Sequence, residues 1–299
     1  MAILRYPGGK TRLMKKVLSH LVPLMGYGPY VEPMIGGGSV ALQIAKTYPR
    51  KDIILNDLDP EVATFWRVVS GQEGQTAFLT LCREIELSRG PMDHPVRRLD
   101  YWIKIRESNF EEPGRRAFRF LFLNKTCFGG QIDEGPMGGW GQNGWAGRAN
   151  RGLACQYTVK TILAQLHDAN NLLGGRTRVE NMDGLELLMS IKPPLTAYID
   201  PPYFPGRSNQ LYRFGMGLRQ HEALADYLKK CPGSWLLSYD ESSAVRALYG
   251  WAWIQPIEAK YSHGPGNRAW KCKTELLLAK RPIVPRTCAE LRPNGGSSR

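Results

Sequence analysis

The sequence predicts an α/β fold, a doubly wound and largely parallel sheet split by a mainly helical insertion. Three observations carry this. Short apolar runs alternate with helical patterns at both ends of the chain, around 30–70 and again around 178–279. A glycine loop follows the first of these runs, which is the opening of a doubly wound sheet. The alternation then lapses between 72 and 174, where helical periodicity alone is found.

In order, Thr11 stands where it could cap a helix carrying Leu13, Val17, Leu21 and Leu24 on one face. Tyr30-Val31-Glu32 reads as a strand end, followed by glycines and a helix through Val40, Leu42 and Ile44. Asp52 to Asn56 forms a second strand, and Pro60 suits the first turn of the next helix. Segments 76–88, 97–106, 114–123 and 159–173 read as helices, with a glycine-rich loop over 124–156 that contains Trp140 and Trp145. Strands return at 178–180, 195–199, 235–238, 253–258 and 274–279, with a helix at 219–230. Domain boundaries follow: a catalytic domain from 1–71 and 175–283, an insertion over 72–174, and a Pro-, Gly- and Ser-rich tail over 284–299 expected to be disordered.

The most informative residues are Asp200-Pro201-Pro202-Tyr203, directly after the apolar run Leu195 to Ile199. Neither proline can donate to a strand ladder, so the strand must stop there. An acid, free carbonyls and an aromatic ring are left at its carboxyl end, where open α/β sheets bind ligands. That set suits a planar substrate bearing an amine. An exocyclic amine is a poor nucleophile because its lone pair is delocalised into the ring. A carboxylate and a proline carbonyl accepting its N–H groups would localise the pair, and Tyr203 could stack on the base. No Pro-Cys dipeptide is present to supply a covalent thiol route.

The loop from Glu32 and Pro33 through Gly36, Gly37 and Gly38 fits a nucleoside-bearing cofactor, with Asp57 or Asp59 about 20 residues on for ribose hydroxyls. A dinucleotide and an oxidoreductase remain open from the loop alone. Glu32 shifts the balance, since a carboxylate before the glycines suits a cationic group such as the amino end of S-adenosylmethionine. Tyr6 to Lys10 forms a second glycine turn with a cation and an aromatic.

A net charge of +13 favours a polyanionic partner. It is densest in 260–286, where Lys260, Arg268, Lys271, Lys273, Lys280, Arg281 and Arg286 face one acid, Glu275. Six scattered cysteines without a Cys-x-x-Cys pair argue against a disulfide framework or a structural metal. No run reaches membrane-span length and the first ten residues lack a secretory apolar core, so a cytoplasmic protein, taken as a monomer, is expected.

Four blocks in order resemble the Dam-class (D12) DNA adenine-N6 methyltransferases: Arg5 to Lys10, Glu32 to Val40, Leu123 to Gly130, and Asp200 to Tyr203. The likeness covers about residues 3–283, with weaker support from Asn56-Asp57 and Thr274 to Leu278. It implies a Rossmann-like S-adenosylmethionine-dependent methyltransferase sheet with an inserted, mainly helical target-recognition domain, acting on double-stranded DNA without a metal. By this resemblance Tyr6, Lys10, Glu32, Pro33, Gly36, Gly38 and Asp200 line the cofactor pocket, Asp57 holds the ribose and Asp183 the adenine. Asp200 to Tyr203 then grip a target base flipped out of the duplex. Lys10, Arg116, Asn124, Lys125 and Phe128 are expected at DNA, with Gln131, Gln142 and Asn143 as base-edge readers and Arg268, Lys271 and Lys273 on phosphates. The step Phe128-Gly129-Gly130 followed by Asp133 and Glu134 departs from the family's GATC readers. Cytosine N4 and RNA adenine are the nearest alternative targets, and Asp200 rather than serine favours adenine.

Overall fold

The computed structural model describes residues 3–6, 9–94, 97–127, 132, 137, 157–202, 213–262 and 270–286, with backbone alone at 259–262 and 270–273. In chain order the elements are α1 (Met14–Leu21), β1 (Tyr30–Glu32), α2 (Ser39–Thr47), β2 (Ile53–Asn56) and α3 (Pro60–Val69). Then come α4 (Gln75–Asp93), α5 (Arg97–Glu107), α6 (Pro113–Thr126), α7 (Val159–Leu173) and β3 (Thr177–Glu180). The chain closes with α8 (Gly184–Ser190), β4 (Thr196–Ile199), α9 (Leu218–Lys230), β5 (Ser234–Asp240), α10 (Ser243–Leu248), β6 (Trp253–Ser262) and β7 (Trp270–Ala279).

Two compact units result, one from Met1–Pro7, Gly36–Gly38 and Asp59–Asn181, the other from Gly8–Ile35, Ser39–Leu58 and Met182–Arg299. The second unit carries strands in the order β2-β1-β4-β5-β7-β6. The first four are parallel, with Val31 opposite both Ile54 and Ala197, and Tyr198 opposite Leu236. β7 runs antiparallel between β5 and β6, which sets Glu275 opposite Asp240. β1, β2 and β4 are buried at every residue, as parallel strands covered on both faces must be. Their apolar run packs in one core with Leu187, Leu224, Leu228, Trp235, Leu237 and Leu278. Parallel strands all end on one edge, so Glu32, Asn56, Asp200 and Asp240 come to the same side of the sheet.

The first unit is mainly helical. α6 presents Phe118, Phe120 and Phe122 to its core, where Phe120 meets Phe65 and Phe122 meets Tyr157. β3 is tied to α3 and the turn after it, since Val179 O accepts from both Arg67 Nε and Gln72 Nε2 at 3.1 Å.

Several boundaries move from those the sequence predicts. Lys10–Arg12 is a 3-10 turn and α1 begins at Met14 behind Leu13 with no side-chain cap, so Thr11 caps nothing. α6 continues through Asn124, Lys125 and Thr126 because Thr126 Oγ1 accepts from Trp102 Nε1 and holds the last turn down. α8 and α10 were not foreseen; both are short, and their side-chain caps, Asp183 and Ser242, are their clearest start signals. β6 and β7 run to ten residues each, longer than their apolar stretches, and Pro256 is tolerated because β6 is an edge strand. Residues 284–286, expected in the tail, are described, and Arg286 N donates to Ser19 O at 3.0 Å.

Candidate active site

The carboxyl edge of the sheet gathers charge around one cation. Lys10 is 2% exposed, and its Nζ lies 2.8 Å from Asp200 Oδ1 and 3.4 Å from Glu275 Oε2. The second contact is an ion pair rather than a well-formed hydrogen bond. Burial opposes a charge on Lys10, but Asp200 outweighs it with help from Tyr198 and Glu275, so the ammonium titrates above its ordinary range. Asp200 Oδ1 also lies 2.9 Å from Ser238 Oγ on β5. A carboxylate can only accept, so Ser238 donates, and the Tyr198 hydroxyl at 2.9 Å from Ser238 must then donate to it in turn. Burial first, then Asp200, push the Tyr198 phenol well above the ordinary tyrosine range and keep it a donor.

Glu32, 3% exposed at the end of β1, accepts a hydrogen bond from the Tyr30 hydroxyl. Burial raises its carboxyl, the Tyr30 bond partly offsets this, and Asp200 raises it again, to about 8. Asp200 and Glu275 share the one ammonium, and Glu32 nearby has its carboxyl raised chiefly by burial, so this edge fits a cationic ligand. Beside it Asn56, fully buried at the end of β2, donates through Nδ2 to Pro33 O at 2.7 Å and Met182 O at 3.0 Å, and accepts from Met182 N at 3.1 Å. One amide thus joins the loop after β1, the end of β2 and the turn before α8. Asp57 follows it, buried, and Asp183 uses Oδ1 to cap α8 through Leu185 N and Glu186 N. Asp59 is occupied capping α3 through Glu61 N. Pro201 is buried after Asp200, with Pro202 half-buried; Tyr203 lies outside the described residues.

In the helical unit the glycines of the turn answer to aromatic rings. Gly36 and Gly38 have φ of +46° and +64°, and a Cβ on Gly38 would stand 2.2 Å from the Trp66 ring. A Cβ on Gly36 would stand 2.6 Å from the Tyr6 ring, while Trp66 Nε1 donates to Gly36 O at 2.9 Å. Asn124, buried, accepts from Arg5 N at 2.8 Å and donates to Arg5 O at 2.7 Å. Its amide therefore clamps the backbone of the first block. Lys125 is depressed to about 8 by burial and the neighbouring Arg5. Arg116 is paired with Glu61 at 2.8 Å on the surface.

Of the expected DNA contacts, Phe128, Gln131, Gln142, Asn143 and Arg268 lie outside the described residues, as do the side chains of Lys271 and Lys273. Lys10, also expected at DNA, is buried against Asp200 and Glu275. Tyr30, Asn56, Tyr198, Ser238 and Glu275 were not among the expected site residues. The available signal was polar residues inside otherwise apolar strand runs, each of which must find a partner when buried.

Against known proteins, the family model described as D12 class N6 adenine-specific DNA methyltransferase matches residues 6–263. The type II methyltransferase M.MjaIII of Methanocaldococcus jannaschii is 26% identical over 212 residues, 68% of each chain. The type II methyltransferase M.CviBI of Paramecium bursaria Chlorella virus NC1A is 21% identical over 259 residues, 87% of this chain and 90% of that one. A solved precorrin-6y C5,15-methyltransferase from Geobacter metallireducens GS-15 aligns over 93% of this chain and 97% of its own, at 8% identity and a TM-score of 0.38, too low to argue from.

Proposed function

The chain belongs to the D12 class of N6-adenine-specific DNA methyltransferases, which use S-adenosylmethionine, and from that premise we propose which of its residues do the work. Bound at this edge, the cofactor supplies an electrophilic methyl group on a sulfonium. Glu32 receives its cationic amino end, Asp57 its ribose hydroxyls, and the half-buried Asp183 the adenine edge. Pro33 and Asn56 hold that loop in place.

Asp200 and the Pro201 carbonyl accept the two N–H groups of the target amine, localising its lone pair for in-line attack. Methyl transfer from the sulfonium would leave S-adenosylhomocysteine and one surplus amine proton, which the Asp200 carboxylate would be placed to accept. Such an amine is inaccessible within a duplex, so the base is taken up flipped out. The helical unit, with the segment 124–156, is the proposed target-recognition domain, and the protein is proposed to act as a monomer. Among the described residues no helix is long and apolar enough to cross a membrane.

The observation that carries this reading is the pair of acids, Glu32 and Asp200, at the ends of the neighbouring parallel strands β1 and β4. Transfer of labelled methyl to double-stranded DNA should fall by about a thousandfold or more in Asp200→Ala, with S-adenosylmethionine binding kept within a few fold. Nuclease digestion and mass analysis should find N6-methyladenine. Normal transfer by the variant, or N4-methylcytosine as product, would overturn the assignment.

A further inference from the structure

We propose that Lys10, Ser238 and Glu275 are positioning residues for methyl transfer: they pin one oxygen of Asp200 so that the other alone meets the target amine. The inference rests on the reading of Asp200 as the acceptor of that amine.

Both contacts to Asp200 fall on the same atom. Oδ1 takes the Lys10 ammonium at 2.8 Å and the Ser238 hydroxyl at 2.9 Å. These come from opposite ends of the chain, one from the 3-10 turn before α1 and one from the middle of β5. Two short charge-assisted contacts to one oxygen fix the plane of the carboxylate. Oδ2 is left with acceptor capacity on a side chain that is 23% exposed, enough for an amine to reach it.

Ser238 has a single proton. Its other acceptor, Ile199 O, lies at 3.5 Å, so the carboxylate takes that proton. The Tyr198 hydroxyl, donating at 2.9 Å, fixes the rotor from behind. Glu275 anchors Lys10 from β7. Its carboxyl is raised by burial, with Lys10 drawing it down and Asp200 and Asp240 raising it. Lys10 is thus a buried bridge between the strand that carries the chemistry and an antiparallel strand that bears none of it. Near-attack geometry tolerates little looseness, so an acid held this way starts each turnover aligned.

The test is single-turnover transfer with the protein saturated in S-adenosylmethionine and mixed with double-stranded DNA, alongside separate binding titrations of each. Ser238→Ala should slow transfer about tenfold, Glu275→Gln by several fold and Lys10→Met about a hundredfold, with both dissociation constants within about threefold of the original. Lys10→Met strands the buried Glu275 and the half-buried Asp200, and should it fail to fold, the other two variants decide. Wild-type rates in folded Ser238→Ala and Glu275→Gln, with Asp200→Asn inactive, would overturn the positioning role and leave Asp200 in place. So would a loss of affinity for either ligand that accounts for the whole loss of rate. Full activity in Asp200→Asn would instead remove the reading on which the inference stands.

Discussion

At Glu32, burial lifts the carboxyl, the Tyr30 hydroxyl draws it back and Asp200 lifts it again, to about 8, so the ligand-free protein holds a proton there near neutrality. The unfolded chain releases that proton near the ordinary 4.5. Between those values the folded state binds more protons than the unfolded one, so its stability falls as pH rises through the window. Glu32→Gln should abolish that part of the slope, and its melting temperature should gain on the parent's between about pH 5 and pH 8. Thermal unfolding of both proteins without cofactor across that range checks the sign. Asn124 makes a second residue-scale case. Replacing it by alanine removes both bonds to the Arg5 backbone, at a cost of about 1–3 kcal/mol, measurable by denaturant unfolding. Neither outcome could be forecast from the motifs, since a buried carboxyl and an exposed one are spelled the same way.

Among the elements, the turn from Gly36 to Gly38 shows how one pattern admits two physical reasons. A fingerprint of glycines predicts close approach by a ligand. The structure adds rings of the protein itself, with Tyr6 over Gly36 and Trp66 over Gly38. Gly38→Ala must relieve both a φ of +64° and the contact with Trp66, and should cost about 2–4 kcal/mol. Trp66→Phe loses the bond to Gly36 O and part of a fully buried indole packed on Gly38, and should cost about 2–4 kcal/mol, read like Gly38→Ala by denaturant unfolding. Element existence was legible wherever the apolar period was long, as over 159–173, where α7 has the expected ends. It was illegible where the stop is tertiary. α6 runs on to Thr126, whose hydroxyl accepts from Trp102, and β6 and β7 extend because each pairs with the other.

For the whole molecule, a charge of +13 implies that phosphate contacts dominate affinity for DNA. Raising salt from about 50 to 200 mM should weaken binding at least tenfold, with a straight negative slope of log affinity against log salt. A flat slope would show that the excess charge faces elsewhere. The three arginines of α6 already have internal partners, in Glu84, Glu61 and the Arg106 carbonyl, so they should add little to that slope. By itself the sequence determined the family, the reaction and the acid at the strand end, because glycine loops, proline stops and apolar periods are local and short-range. Only the tertiary structure decided what that acid touches. Asp200 meets Lys10 and Ser238, and Lys10 meets Glu275, because the sheet sets β4, β5 and β7 in sequence at one edge. A buried polar group must be paired, but the chain order that supplies its partner is a property of the topology and leaves no trace in the local pattern.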